Sequence, residues 1–303
     1  MNNKILLLIL VLLLALFGAN KLFNNPVSKS FKEELVAIDS ARVDKIVITG
    51  TKDLGNIISL EKSGNKWLVK SANHTATATR NSVQSILSQV TEVKAKRLVA
   101  KSKDKWGQYE VDEKTGTKVE LYGNGNLLSS FISGRLNFNQ QQRNATSYIR
   151  LDGEEDTYAV DGFLSMAFKQ GFDSFRDKRL ISLNKNDLTR ITLSGMQEIV
   201  IGKNGNDWIN QDGSVIDSVS MATYLNGIAN LNGTKFNDDF NEVSYPPSYI
   251  LTLEANNQLT PVTIQSWKID EDAFLLNSSL NPESKFESDR MGIFKKLILD
   301  FPG

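Results

Sequence analysis

The chain opens on an unbroken apolar run, residues 5–19, and then changes to short stretches of period two broken by two segments of helical period. Asn20 and Lys21 interrupt the run before Leu22 and Phe23. Residues 5–23 would span about 28 Å as a helix, close to the ~30 Å of a bilayer's hydrocarbon core. Lys21 can snorkel to the headgroups. A cleavable signal peptide is the competing reading, and it needs small residues at positions −3 and −1. Phe17-Gly18-Ala19 puts Phe at −3, Leu16-Phe17-Gly18 puts Leu there, and Ala15-Leu16-Phe17 puts Phe at −1. The expectation is an uncleaved membrane anchor over 1–23 and a linker over 24–40. Lys4 favours a cytoplasmic N-terminus while Lys21, Lys29 and Lys32 pull the other way. With one span and a long polar remainder, an inner-membrane protein with an extracytoplasmic C-terminal region is expected.

Beyond residue 40 the pattern recurs. Lys45-Ile46-Val47-Ile48-Thr49-Gly50 is matched by Arg190-Ile191-Thr192-Leu193-Ser194-Gly195. Lys62-Ser63-Gly64-Asn65-Lys66-Trp67 is matched by Lys203-Asn204-Gly205-Asn206-Asp207-Trp208, identical at four of six positions. Each Trp is followed by an amphipathic stretch at helical spacing, first Val83, Ile86, Leu87 and Val90, then Met221, Tyr224, Leu225 and Ile228. Strand-like runs around Val119 and Ser147 find partners around Leu251 and Phe274, and helix-like segments near 162–168 and 291–299 close the two copies. Gly and Asn between the runs supply hairpin turns, so consecutive strands should pair antiparallel. The fold class predicted is α+β, with two repeated units at 41–170 and 188–303 joined by 171–187. Each unit is a mainly antiparallel sheet with a packed helix, and Trp67 and Trp208 are expected to anchor the two cores.

Composition changes little. Apolar residues at 40% and charged residues at 23% suit a folded chain. Zero net charge argues against a nucleic-acid partner. The balance hides an asymmetry, with 25 Lys/Arg against 20 Asp/Glu over 24–187 and 8 against 15 over 188–303. Without cysteine there is no disulfide, thiolate ligand or cysteine nucleophile.

Candidate chemistry is sparse. His74 stands alone in a polar segment, so a His-rich metal site has no second ligand of its kind. No Gly-x-Ser-x-Gly elbow accompanies it. The acidic groups Asp152, Glu154, Glu155, Asp156 and Asp270, Glu271, Asp272 fall between strand-like runs and read as exposed turns. Gly123-Asn124-Gly125 and Gly202-Lys203-Asn204-Gly205 complete no phosphate-binding fingerprint. The expectation is therefore a protein that is not an enzyme, with no catalytic, cofactor or metal residues. The sharpest charge feature is Lys94, Lys96, Arg97, Lys101, Lys103 and Lys105. It reads either as lysine protection of a sheet edge or as a contact with anionic headgroups or an acidic partner.

Several segments together resemble a bacterial family, domain of unknown function 4340. They are the hairpin Trp67, Val119-Glu120-Leu121-Tyr122-Gly123, Ser147-Tyr148-Ile149-Arg150-Leu151, Thr157-Tyr158-Ala159-Val160 and Phe175-Arg176-Asp177-Lys178-Arg179-Leu180-Ile181. The likeness runs from about 40 to 195. It implies a single-span envelope protein, often encoded near ABC transporter subunits of the gliding-motility type, with no catalytic residues to carry over. The function expected is a non-catalytic, membrane-anchored partner or scaffold of an envelope complex. The alternative is an extracytoplasmic glycan- or peptide-binding module.

Overall fold

The structure, a computed structural model, describes residues 13, 31–50, 57–237 and 245–303. The anchor expected at 1–23 lies outside the described residues, apart from Leu13, as does 24–30 of the linker. Among the described residues no helix is long and apolar enough to cross a membrane.

In chain order the first elements are β1 (Glu34–Ala37), β2 (Lys45–Thr49), β3 (Ile57–Ser63), β4 (Lys66–Lys70) and β5 (Thr75–Thr77). Helix α1 (Arg80–Val90) follows, then β6 (Glu92–Lys94), β7 (Arg97–Ala100) and the short α2 (Trp106–Tyr109). A meander of β8 (Thr117–Gly123), β9 (Asn126–Asn139), β10 (Asn144–Leu151) and β11 (Thr157–Asp161) leads to α3 (Leu164–Phe168) and α4 (Phe172–Phe175). After β12 (Arg179–Ser182) come β13 (Leu188–Ser194), β14 (Glu198–Asn204), β15 (Asp207–Asn210) and α5 (Ser218–Ile228). The chain then forms β16 (Asn230–Asn232), β17 (Lys235–Phe236), β18 (Tyr249–Ala255), β19 (Val262–Lys268), β20 (Ala273–Ser278) and β21 (Asn281–Asp289), and ends on a π-helix, Lys295–Leu299. The class is α+β, mostly antiparallel β.

Two compact units form. One takes Met1–Ile57 and Ser85–Lys169, the other Ile58–Gln84 and Gln170–Gly303. In the first unit the strand order is β2-β8-β9-β10-β11-β7, with β1 and β6 paired separately. All these pairings are antiparallel. Period-two alternation produces the sheet directly: in β8 Thr117, Val119, Leu121 and Gly123 are buried while Lys118, Glu120 and Tyr122 are half-buried. Leu164, Ser165 and Phe168 of α3 are buried, and the Phe168 ring meets Phe131 edge-on at 5.8 Å. Buried hydroxyls fix this helix. Ser147 donates to the Gly162 carbonyl and accepts the Ser165 amide. Burying these polar groups is tolerable because each finds a partner.

In the second unit the order is β15-β14-β13-β18-β19-β20-β21-β17, with β12 paired to β16 and β3, β4 and β5 forming a further antiparallel run. Its core is held by α5, whose Met221, Tyr224, Leu225 and Ile228 are all buried. Each such side chain contributes roughly 1.5–3 kcal/mol by leaving water. The Asp217 carboxylate accepts the Ser220 amide and starts the helix. The Tyr224 hydroxyl donates to the Leu297 carbonyl, and Phe274 stacks on Phe294. Trp208 joins this core at 8% exposed.

Trp67 does not match its counterpart. It was expected to anchor a core, but it is only half-buried and lines a surface cleft. Trp67 and Val69 share one face of β4, and the fully buried position on that face falls to Val69, while Trp67 stands next to the β3–β4 turn.

Candidate functional site

The first unit carries a cleft of about 510 Å³ built around Trp106 and Arg150. Arg150 is the penultimate residue of β10, and its side chain is 5% exposed. Its guanidinium lies 3.8 Å from the centre of the Trp106 ring. Nε donates to the Val111 carbonyl at 3.1 Å and Nη1 to the Glu154 carbonyl at 3.2 Å. Two carbonyls and an aromatic face thus replace the water that this cation gives up. Burial pushes the guanidinium below its ordinary pKa, against the pull of Asp152, Glu113 and Asp112. It remains a cation at any physiological pH.

Trp106 begins α2, which stops after one turn at Glu110, a residue in the left-handed region. The indole Nε1 donates to the Glu155 carbonyl at 2.9 Å. After Val111 the chain turns on Asp112. Its Oδ1 accepts the Lys114 amide at 2.7 Å and the Thr115 amide at 3.0 Å, and Oδ2 accepts the Thr115 hydroxyl. Burial alone would raise the Asp112 pKa, but the Thr115 hydroxyl and the two amides outweigh it and hold the carboxyl low. At Gly116 a Cβ would come within 2.3 Å of Ile132 and 2.8 Å of the Asp112 carbonyl, so only glycine lets the turn close against β9.

On the facing side Asp152 pairs with Lys118 at 3.1 Å and accepts from Ser130. Burial again opposes ionisation, and Lys118 and Ser130 overcome it, so Asp152 titrates below the usual carboxylate range. Lys118 also pairs with Glu120 at 3.0 Å, and these two contacts raise its pKa. Glu154 pairs with Lys32 at 3.3 Å. Glu113 and Glu155 line the cleft with no ion pair among the described residues. Five carboxylates therefore face three cations, Lys103, Lys118 and Arg150. Two of the carboxylates are open to a positively charged group.

The residues singled out in the sequence fall as follows. Lys94, Lys96, Arg97, Lys101, Lys103 and Lys105 are all exposed. They do not form one uniform patch. Lys94 pairs with Glu92, Lys96 with Asp161 at 2.9 Å, and Lys103 sits 5.4 Å over the Trp106 ring. Arg97 lies on β7, the last strand in the first unit's sheet order. Asp152, Glu154 and Glu155 follow the expected turn, yet they line the cleft rather than simply facing solvent. His74 is exposed between β4 and β5, with its ring 6.3 Å from Phe172. Among the described residues no group of three or more His, Asp or Glu side chains is placed to hold a metal ion.

The Trp106–Arg150 pairing was not read from the sequence, although Arg150 sits within a motif that carried the family resemblance. The signal in the sequence is an arginine set between two apolar neighbours, Ile149 and Leu151.

Comparison with curated proteins and with solved structures finds no match. A family profile described as Domain of unknown function (DUF4340) matches residues 67–252. That segment is more than half of the chain and holds Trp106, Arg150 and the Asp152–Glu155 turn, so the chain belongs to the DUF4340 family.

Proposed function

We propose that this chain is a membrane-anchored, extracytoplasmic, non-catalytic component of a bacterial envelope complex, and that the Trp106–Arg150 cleft docks a basic segment of a membrane-protein partner. The observation that carries the reading is the pair of unengaged carboxylates, Glu113 and Glu155, beside a rigidly held aromatic–arginine stack. A lysine or arginine from a partner would find opposite charge there and an apolar wall beside it. An ABC-type transporter subunit is the partner proposed, as the family resemblance implies. The apolar run at 5–19, followed after Asn20 and Lys21 by Leu22 and Phe23, supports the anchor and the inner-membrane location. The duplication belongs to the same reading. The order β2-β8-β9-β10-β11-β7 parallels β13-β18-β19-β20-β21-β17, and the pair β1-β6 parallels β12-β16.

The test places a photo-crosslinking residue at position 49, which lines the cleft, in the full chain in its native membrane. The expected adduct is with an integral membrane protein, and Glu155→Lys should abolish it. An adduct that Glu155→Lys leaves unchanged rejects the cleft as the docking site. For the anchor, the mature protein should retain residues 1–23 and stay in the membrane pellet after a high-salt wash. A mature N-terminus near Asn20 would overturn that part.

A second reading, an extracytoplasmic glycan- or peptide-binding module, is favoured by the half-buried Trp67 and the polar cleft that it lines.

A further inference from the structure

The second unit holds a larger cleft, about 750 Å³, lined by residues of β4, β5, the start of α1 and the 174–179 segment. Its charge is lopsided. Lys66, Arg80, Arg176, Lys178 and Arg179 line it against one carboxylate, Asp177. Asp177 is already committed, since Arg179 grips it through Nε and Nη2 and also donates its backbone amide. Arg176 is 2% exposed and is held by Asp173, the Ser284 hydroxyl and the face of Phe236 at 3.6 Å. Lys66, Arg80 and Lys178 make no ion pair with any described residue.

Three cations without carboxylate partners around one concavity repel each other, and an anion between them relieves that repulsion. The position of Arg80 sharpens the point. It is the first residue of α1, whose first turn carries no acid. A cation there opposes the positive end of the helix dipole. The first-turn amides of Arg80 and Asn81 have no acceptor within the helix, while Thr79 Oγ1 accepts the Ser82 amide at 3.4 Å. The same concavity has one aromatic wall, the half-buried Trp67, and neutral hydrogen-bonding side chains in Asn65, Thr79 and Asn232.

We infer that this cleft binds a phosphate-bearing sugar, the phosphate held by Lys66, Arg80 and Lys178 at the start of α1 and the sugar ring laid on Trp67. Basic groups and helix amides suit the phosphate. An indole face suits the apolar face of a sugar ring. The inference rests on the second reading above and not on the docking reading, which uses different residues.

The test is isothermal titration of the full-length protein in detergent with glucose 6-phosphate, inorganic phosphate and glucose. Glucose 6-phosphate should bind best, phosphate more weakly, and glucose not measurably. Lys66→Gln, Arg80→Gln and Lys178→Gln combined should weaken glucose 6-phosphate by roughly tenfold or more at an unchanged melting temperature, because all three side chains lie outside the buried core. Trp67→Ala should abolish the preference for glucose 6-phosphate over phosphate while phosphate still binds. Nanodiscs containing phosphatidylglycerol distinguish the source. If they displace glucose 6-phosphate from the wild type, the natural ligand is a lipid headgroup; if not, it is a free or polymer-borne sugar phosphate. No binding of either anion at millimolar concentration overturns the inference. So does a triple variant that binds as the wild type does, or a hexaglutamate peptide that binds more tightly than glucose 6-phosphate. These results leave the crosslinking test at position 49 untouched.

Discussion

The guanidinium of Arg150 stacks on Trp106 at 3.8 Å and donates to the carbonyls of Val111 and Glu154. Replacing it with an apolar side chain strands two acceptors and removes a desolvated cation–π contact. Arg150→Met should destabilise the first unit by about 2–4 kcal/mol. Arg150→Lys should recover little, because an ammonium cannot stack flat while reaching both carbonyls. Hydrogen exchange across β10 measures this locally. Exchange unchanged in Arg150→Met would mean that the stack contributes nothing.

The two matched tryptophans should behave differently. Trp208 is enclosed by the second unit's core, and Trp208→Ala should cost about 3–5 kcal/mol. Trp67 is half-buried, so Trp67→Ala should cost less than half of that. Urea unfolding of the two variants side by side checks the order, and equal losses would contradict it.

Gly134 is a position of close approach. A Cβ there would stand 2.2 Å from the Tyr109 carbonyl and 2.7 Å from Val111 Cγ1. Gly134→Ala should push 109–111 away from β9, costing about 1–3 kcal/mol. Because Val111 accepts from Arg150, the change should also loosen the Arg150–Trp106 stack. Accelerated exchange in β10 would report that. A variant as stable as the wild type would show that the segment yields without cost.

Acid should weaken the 112–116 turn. The folded pKa of Asp112 is depressed below its ordinary 3.8. Its contribution is therefore fully present above the unfolded value and is lost as pH falls through the folded one. Melting temperature should decline below about pH 4, and Asp112→Asn should be less stable at neutral pH with a flatter acid limb. Parallel acid limbs in the two proteins would remove Asp112 from the account.

The basic run divides into engaged and unengaged members. Lys94 and Lys96 already hold Glu92 and Asp161, so Arg97, Lys101 and Lys105 should dominate any headgroup contact at about 1 kcal/mol each. In anionic nanodiscs the full chain should show protected exchange at 97–105, lost at high salt and in the variant with all three changed to Gln. Equal exchange in zwitterionic and anionic discs would leave these residues as edge protection.

Local pattern carried most of the secondary structure. The alternation in 117–123 and the helical spacing of Met221, Tyr224, Leu225 and Ile228 each bury as their period requires, because a strand or helix face is set by neighbours two to four residues away. Turn chemistry was equally local. Gly64 and Gly205 occupy the left-handed positions between β3 and β4 and between β14 and β15. The matched hairpins were legible for the same reason.

Both clefts depended on partners that no local pattern encodes. Trp106 and Arg150 meet across 44 positions of sequence, and residues 58–84 join 170–303 in one compact unit. Such pairings have no period and leave no mark on neighbouring residues. From sequence, Arg150 is a cation between Ile149 and Leu151, and Trp67 and Trp208 are two equal members of one motif. The sequence by itself determined the strands, turns, amphipathic helices and the N-terminal apolar run, since these follow from short-range sterics and the spacing of apolar side chains. Tertiary structure alone decided that one tryptophan is enclosed while the other lines a cationic cleft. Burial of a side chain depends on what distant chain packs over it, and that is a property of the folded surface rather than of the segment.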